Sequence, residues 1–192
     1  TGYYYAGATA FIQQETFERA QTEAKEAEAA VREKLGAEDI RWGVESAVAQ
    51  LGAMGGLVAL RARFADLVVQ AKPYGDKAGQ EAEAIVEAAM FEGHAPVLVV
   101  PEQGLDAEFG RRIVCGWNQG QEALNAIRAA LPLLKAADMV DVAIIDPPAH
   151  GAERADPGAS LSQMLVRHGA KAEVTVLAKT LPRVSDVLMR HV

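Results

Sequence analysis

The alternation of apolar and polar positions is most informative over residues 112–146, RIVCGWNQGQEALNAIRAALPLLKAADMVDVAIID. Residues 113–117 form a short apolar run of the length of a buried strand. Residues 118–121 are a polar turn. Leu124, Ile127, Leu131 and Leu134 then recur at spacings of three and four, which marks one face of a helix. Residues 140–145 are a second apolar run. Strand, helix and strand with this crossover length predict a βαβ unit, and hence a parallel sheet with helices packed on it. In such sheets ligands bind at the carboxyl ends of the strands, so the turn after Trp117 is the first candidate site.

The same pattern can be followed along the rest of the chain. Residues 1–5 are rich in Tyr and predict the tail of a strand. Phe17, Ala20, Ala24, Ala27, Val31 and Leu35 form a helical stripe that Gly36 ends as a C-cap. The opposite face is charged, so that helix is expected on the surface. Residues 40–44 predict a strand. A helical pattern over residues 47–63 is interrupted by Gly52, Gly55 and Gly56, each costing ~1 kcal/mol relative to Ala. This places the helix start late, near Gly56. Residues 66–70 predict a strand, 73–79 a loop and 80–91 a helix. Residues 96–101 (PVLVVP) predict a buried strand with proline at both ends. Residues 102–110 are acidic and aperiodic, as a linker is. Beyond the βαβ unit come a loop at 147–158, a helix at 160–168 stopped by Gly169, a strand at 172–178 and a helix from 184 to 192.

Bulk properties narrow the function classes. The chain has 192 residues, half of them apolar, and a net charge of −7. That balance, with no basic stripe, excludes nucleic acid as the expected partner. No run is long enough to cross a bilayer, and no signal-peptide pattern is present, so a cytoplasmic protein without a membrane partner is expected. Cys115 is the one cysteine. Its place in an apolar strand predicts an inert, small hydrophobe. His94, His150, His168 and His191 show no metal-ligand spacing, and His94 and His168 stand near glycines that end helices. Residues 52–56 lack the G-x-G-x-x-G spacing of a dinucleotide loop, and no G-K-[S/T] is present. Tyr3, Tyr4 and Tyr5 have no basic neighbours, so base stacking is not expected of them. Glu102, Asp106 and Glu108 suit a solvated tether. Asp146 and Asp156 flank a Pro/Gly-rich loop that fixes no distance between them. The turn Gly116-Trp117-Asn118-Gln119-Gly120 has two readings: part of a nucleotide pocket at a helix N-terminus, or an ordinary βα turn with Asn118 as N-cap.

The two halves look like one module met at different points. Leu35-Gly36-Ala37 precedes the run at 40–44 as His168-Gly169-Ala170 precedes the run at 172–178. Each is followed by a helical segment containing Leu and Arg (Leu60-Arg61; Leu188-Met189-Arg190). The expected division is a first module over residues 1–104, lacking its first strand and helix, and a second over 105–192, lacking its fourth strand onward. Each absent piece is on the scale of a βαβ unit, ~30 residues. A half without its central strand leaves backbone groups unpaired at ~1–3 kcal/mol each. The expectation is therefore that the whole molecule carries further residues, with a neighbouring chain filling the gap as the alternative.

These motifs, in this order, resemble the universal stress protein family in its tandem two-domain form. Ile113-Val114-Cys115-Gly116-Trp117-Asn118 is similar to that family's first strand and its W-D-G-S turn. Glu122-Ala123 and residues 129–134 resemble its first helix, and 141–147 its second strand and exit. Arg167-His168-Gly169 is similar to its A-R-H-G helix end. In the first half, residues 62–69 (ARFADLVV) and 93–101 (GHAPVLVVP) resemble its fourth and last strands. The resemblance implies two doubly wound α/β modules of flavodoxin-like strand order, paired through their last strands, and a homodimer. It implies a non-catalytic protein of the stress response that senses an adenine nucleotide, ATP in the family. The family's glycine signature is missing after Val69, where Gln70 and Pro73 crowd the site or remove a donor. ATP is therefore expected in the second module alone, held by Gly116, Trp117, Asn118, Gly120 and Asp146, with Asn118 in place of the family's Asp. No catalytic residue and no metal ligand is expected. The alternative is a scaffold or dimerisation protein whose nucleotide pockets have decayed.

Overall fold

A computed structural model describes residues 2–75, 78–147 and 156–192. The chain forms two compact units, residues 1–55 and 56–192. The first is built on a long helix, α1 (Gly2–Gly36). Tyr3, Tyr4 and Tyr5 lie in this helix, so the expected strand tail at the start of the chain is corrected. Residues 41–50 carry no regular structure, and the strand predicted at 40–44 does not form. Among the described residues no strand pairs with it, and a strand exists only through its ladder. Side chains tie this segment to α1 instead. Ser46 Oγ donates to Glu28 Oε2 at 2.5 Å, and Arg32 bonds both Glu28 Oε1 at 2.8 Å and the Val44 carbonyl at 3.4 Å. Ser46 first, then Arg32, holds the Glu28 carboxyl below its ordinary range.

The second helix, α2 (Leu51–Ala62), starts earlier than its glycines suggested. Gly52, Gly55 and Gly56 are all helical. What secures its far end is close packing. A Cβ on Gly93 would lie 2.7 Å from Ala62 Cβ and 2.8 Å from the Ala89 carbonyl, so only glycine permits this approach. Ala62, Ala89 and Ala95 form a small core there, with Val58, Val68 and Val97 against it. Val68 and Val97 belong to β1 (Val68–Ala71) and β2 (Val97–Val100), which pair in parallel. Between them runs α3 (Gln80–Glu87), whose last turn widens into a π-helical turn at Ala88–Glu92. The Gly93 N–H closes that turn on the Ala88 carbonyl at 2.8 Å.

The larger sheet is β3 (Arg112–Gly116), β4 (Met139–Ile145) and β5 (Ala172–Leu177), all parallel and in chain order. The predicted helix of the βαβ unit is two pieces, α4 (Gln121–Ala129) and α5 (Leu131–Ala136). Ala130 ends one and starts the other, because Pro132 has no N–H to continue the ladder. The unit's apolar stripe still works as read. Ile127 and Leu134 are buried against Val140, Val142 and Ile144, together with Leu161 and Leu165 of α6 (Ala159–Arg167). Strand residues alternate faces, so Asp141 points the other way. There it meets α7 (Val184–His191), whose Val187 is buried. Leu188 Cδ1 lies 3.4 Å from where a Cβ on Gly116 would stand. The three-stranded sheet thus has helices on both faces. The described residues make an α/β protein with parallel sheets of two and three strands.

Candidate functional site

The carboxyl edge of the three-stranded sheet collects the residues singled out in the sequence. The ladder runs one residue past β3, with the Trp117 N–H donating to the Ala143 carbonyl at 2.9 Å. The chain then turns through Gln119 at φ +63°. Asn118 Oδ1 accepts the Gly120 N–H at 2.8 Å, and Asn118 Nδ2 donates to Glu122 Oε1 at 3.1 Å. Asn118 is not the N-cap of α4. Gly120 holds that position, with φ −78° and ψ 151°, and Asn118 closes an Asx turn onto it.

The carboxylate of Glu122 folds back over this turn. Glu122 Oε1 lies 2.1 Å from where a Cβ on Gly120 would stand. The Glu122 carboxyl is held below its ordinary range by its own backbone N–H and by the Asn118 amide. The positive end of α4 therefore already carries an anion. A phosphate placed there meets a carboxylate, whereas a ribose hydroxyl or a base edge meets an amide and a carboxylate suited to hydrogen bonding. Gly79 and Glu81 repeat the arrangement at the start of α3, where a Cβ on Gly79 would lie 2.0 Å from Glu81 Oε1.

Trp117 packs against the main core, and its Nε1 is buried with no hydrogen-bond partner among the described residues. Asp146 lies on the next strand exit at φ +50°, a left-handed position that Asp tolerates, and its N–H donates to the Leu177 carbonyl at 2.9 Å. The parallel ladder thus brings Gly116, Trp117, Asn118, Gly120 and Asp146 to one edge of one sheet. Asp156 is separated from Asp146 by residues 148–155, which lie outside the described residues.

In the first half, Gln70 lies in β1, just ahead of the loop that follows it. Its Nε2 donates to the Ala82 carbonyl at 2.7 Å, while its Oε1 is buried without a partner. Pro73 is buried beside the same loop.

Cys115 is buried, and its thiol is pushed up to about 11 by burial and by the Asp141 carboxylate. One pair went unread in the sequence. His191 Nε2 lies 2.5 Å from Asp141 Oδ2, with the two side chains 25% and 14% exposed, fastening α7 to β4. The residues stand fifty positions apart, and no local pattern links them. His94 follows the π-helical turn at φ +53°, and His168 is the C-cap of α6, so both do sit at helix ends. The predicted tether at 102–110 is anchored at its far end: Arg111 donates to Glu108 Oε2 and to Asp138 Oδ2, both at 2.7 Å. Arg111, Glu108 and Asp138 border an open recess of about 470 Å³ with Arg112, Met139 and Glu173, at the amino ends of the strands.

Comparison with protein-family models finds no match, and no curated protein matches the chain. Among the described residues, no helix is long and apolar enough to cross a membrane.

Proposed function

We propose that this is a non-catalytic, universal stress protein-like sensor of an adenine nucleotide, with modules over residues 1–104 and 105–192 and the binding site in the second. The observation that carries the reading is the meeting of Gly116, Trp117, Asn118 and Gly120 with Asp146 at the carboxyl edge of a parallel sheet. Asn118 and Asp146 supply polar contacts to base or ribose, beside the backbone of Gly116 and Gly120. Glu122 directs the phosphates away from the start of α4. The first module takes no ATP, because Gln70 and Pro73 stand at its loop.

Isothermal titration of the full chain with ATP and Mg²⁺, and separately with adenosine, tests this reading. One binding event per chain is expected, with adenosine retaining much of the affinity because the contacts are to the nucleoside. Heat at the dilution level for both ligands sinks it. The second reading, a scaffold with decayed pockets, is favoured by one specific observation: both functional ends of the Asn118 amide are already engaged within the turn.

A further inference from the structure

We infer that Glu122 sets the ligand class of the candidate site: it closes the start of α4 to phosphate, so that the site selects an adenine nucleoside and gains no affinity from a triphosphate chain. On the nucleotide reading above, on which this rests, the nucleoside is held by Asn118 and Asp146. A phosphate-binding βα turn leaves the first N–H groups of its helix free for phosphate oxygens. The first turn of α4 differs. It carries Glu122, whose carboxylate stands where a Cβ on Gly120 would be. Asn118 Nδ2 donates to Glu122 Oε1 at 3.1 Å, and Asn118 Oδ1 accepts the Gly120 N–H at 2.8 Å. The Glu122 carboxyl is held below its ordinary range by its own backbone N–H and then by the Asn118 amide, so it is an anion at neutral pH. A phosphate brought to this turn meets a like charge and donors already in use.

The rest of the edge does not offset that charge. Residues 113–127 contain no Lys, Arg or His. Asp146, on the next strand exit, adds an exposed carboxylate. Arg183 is engaged by Asp186 at 2.9 Å. Lys179 lies past β5, two strands from β3, on the order of 10 Å away at the usual strand spacing. The tetrapeptide Gly-Gln-Glu-Ala occurs at residues 120–123 and again at 79–82, where Glu81 folds onto Gly79 in the same way at the start of α3. Glu81 therefore provides a matched charge outside the candidate site. A site of this kind responds to the summed pool of adenine nucleosides and nucleotides rather than to the triphosphate alone.

Isothermal titration of the full chain with adenosine, AMP and ATP plus Mg²⁺ tests this, on the parent, Glu122→Gln and Glu81→Gln. ATP should bind the parent no more tightly than adenosine. Glu122→Gln keeps an acceptor for the Asn118 amide and removes the charge, so the ratio of ATP to adenosine affinity should rise about three- to tenfold, with AMP between. Glu81→Gln makes the same change of net charge and should leave the ratio at the parent value. Added salt should not lower the parent's ATP affinity relative to adenosine, because no ion pair holds the phosphates. That comparison stands even if Glu122→Gln loses its fold. ATP binding the parent more tightly than adenosine, a ratio that Glu122→Gln leaves in place or that Glu81→Gln raises equally, or a salt loss selective for ATP overturns the assignment of Glu122 while the nucleotide reading survives. Adenosine, AMP and ATP all failing to bind the parent and both variants removes the two together.

Discussion

At the scale of single residues, the turn after β3 is held by short polar contacts, and these set its pH response. The Glu122 carboxyl lies below its ordinary range because the folded turn donates hydrogen bonds to its charged form. Its contribution is present above the unfolded carboxyl range and is lost as pH falls through the lowered folded value. Urea titrations at a series of pH values from neutral down to about pH 3 should therefore show the parent more stable than Glu122→Gln near neutrality. The two should converge in acid; a gap that persists or widens there contradicts the contact. Asn118→Ala removes the Asx turn and should cost about 0.5–1.5 kcal/mol, read in the same titrations. Cys115 gives a third expectation. With its thiol pushed up to about 11, labelling by a disulfide reagent at mildly alkaline pH should be slow until denaturant opens the fold. Rapid labelling of the native chain contradicts the burial.

At the scale of elements, α7 is held to the sheet by buried Val187 and by one polar pair. His191→Ala leaves the Asp141 carboxylate, 14% exposed, without its partner and should cost about 1–3 kcal/mol. Hydrogen exchange of the amides of α7 should accelerate while β4 amides stay protected; unchanged exchange in α7 contradicts the latch. The pair was invisible in the sequence because nothing local connects a strand residue to a helix so distant from it. The elements that were legible are those whose signal is local and whose partners are present. Ile127 and Leu134 read as one buried stripe and are one, although Pro132 divides the helix that carries them. Residues 40–44 had a strand's composition and no ladder to join, so composition alone misled. At Gly52, Gly55 and Gly56 the propensity argument failed in the opposite sense. The helix continues through them, and tight alanine packing at Gly93 secures its far end, a tertiary term that propensity does not contain. Within the candidate site, the strand exits at Trp117 and Ile145 were readable. The folding of Glu122 back over Gly120 was not, since it depends on side-chain geometry rather than on spacing.

At the scale of the whole molecule, two open parallel sheets and an acidic balance of −7 define what the chain can recruit. The negative charge disfavours polyanions, and on the proposed reading the polar edge at Gly116–Gly120 takes a nucleoside rather than a bare phosphate. On this account the second module does the sensing, and the resemblance to the universal stress proteins supplies its biological setting as a proposal. The central claim is that an adenine nucleotide seats at the carboxyl edge of β3 and β4. The most direct test is an amide-resolved NMR titration of the isotopically labelled chain with ATP and Mg²⁺. The account predicts saturable shifts concentrated on Gly116, Trp117, Asn118, Gly120 and Asp146, and none in the loop after β1. Shifts that gather instead on Glu108, Arg111 and Glu173 at the opposite end of the sheet, or no shifts at all, contradict it.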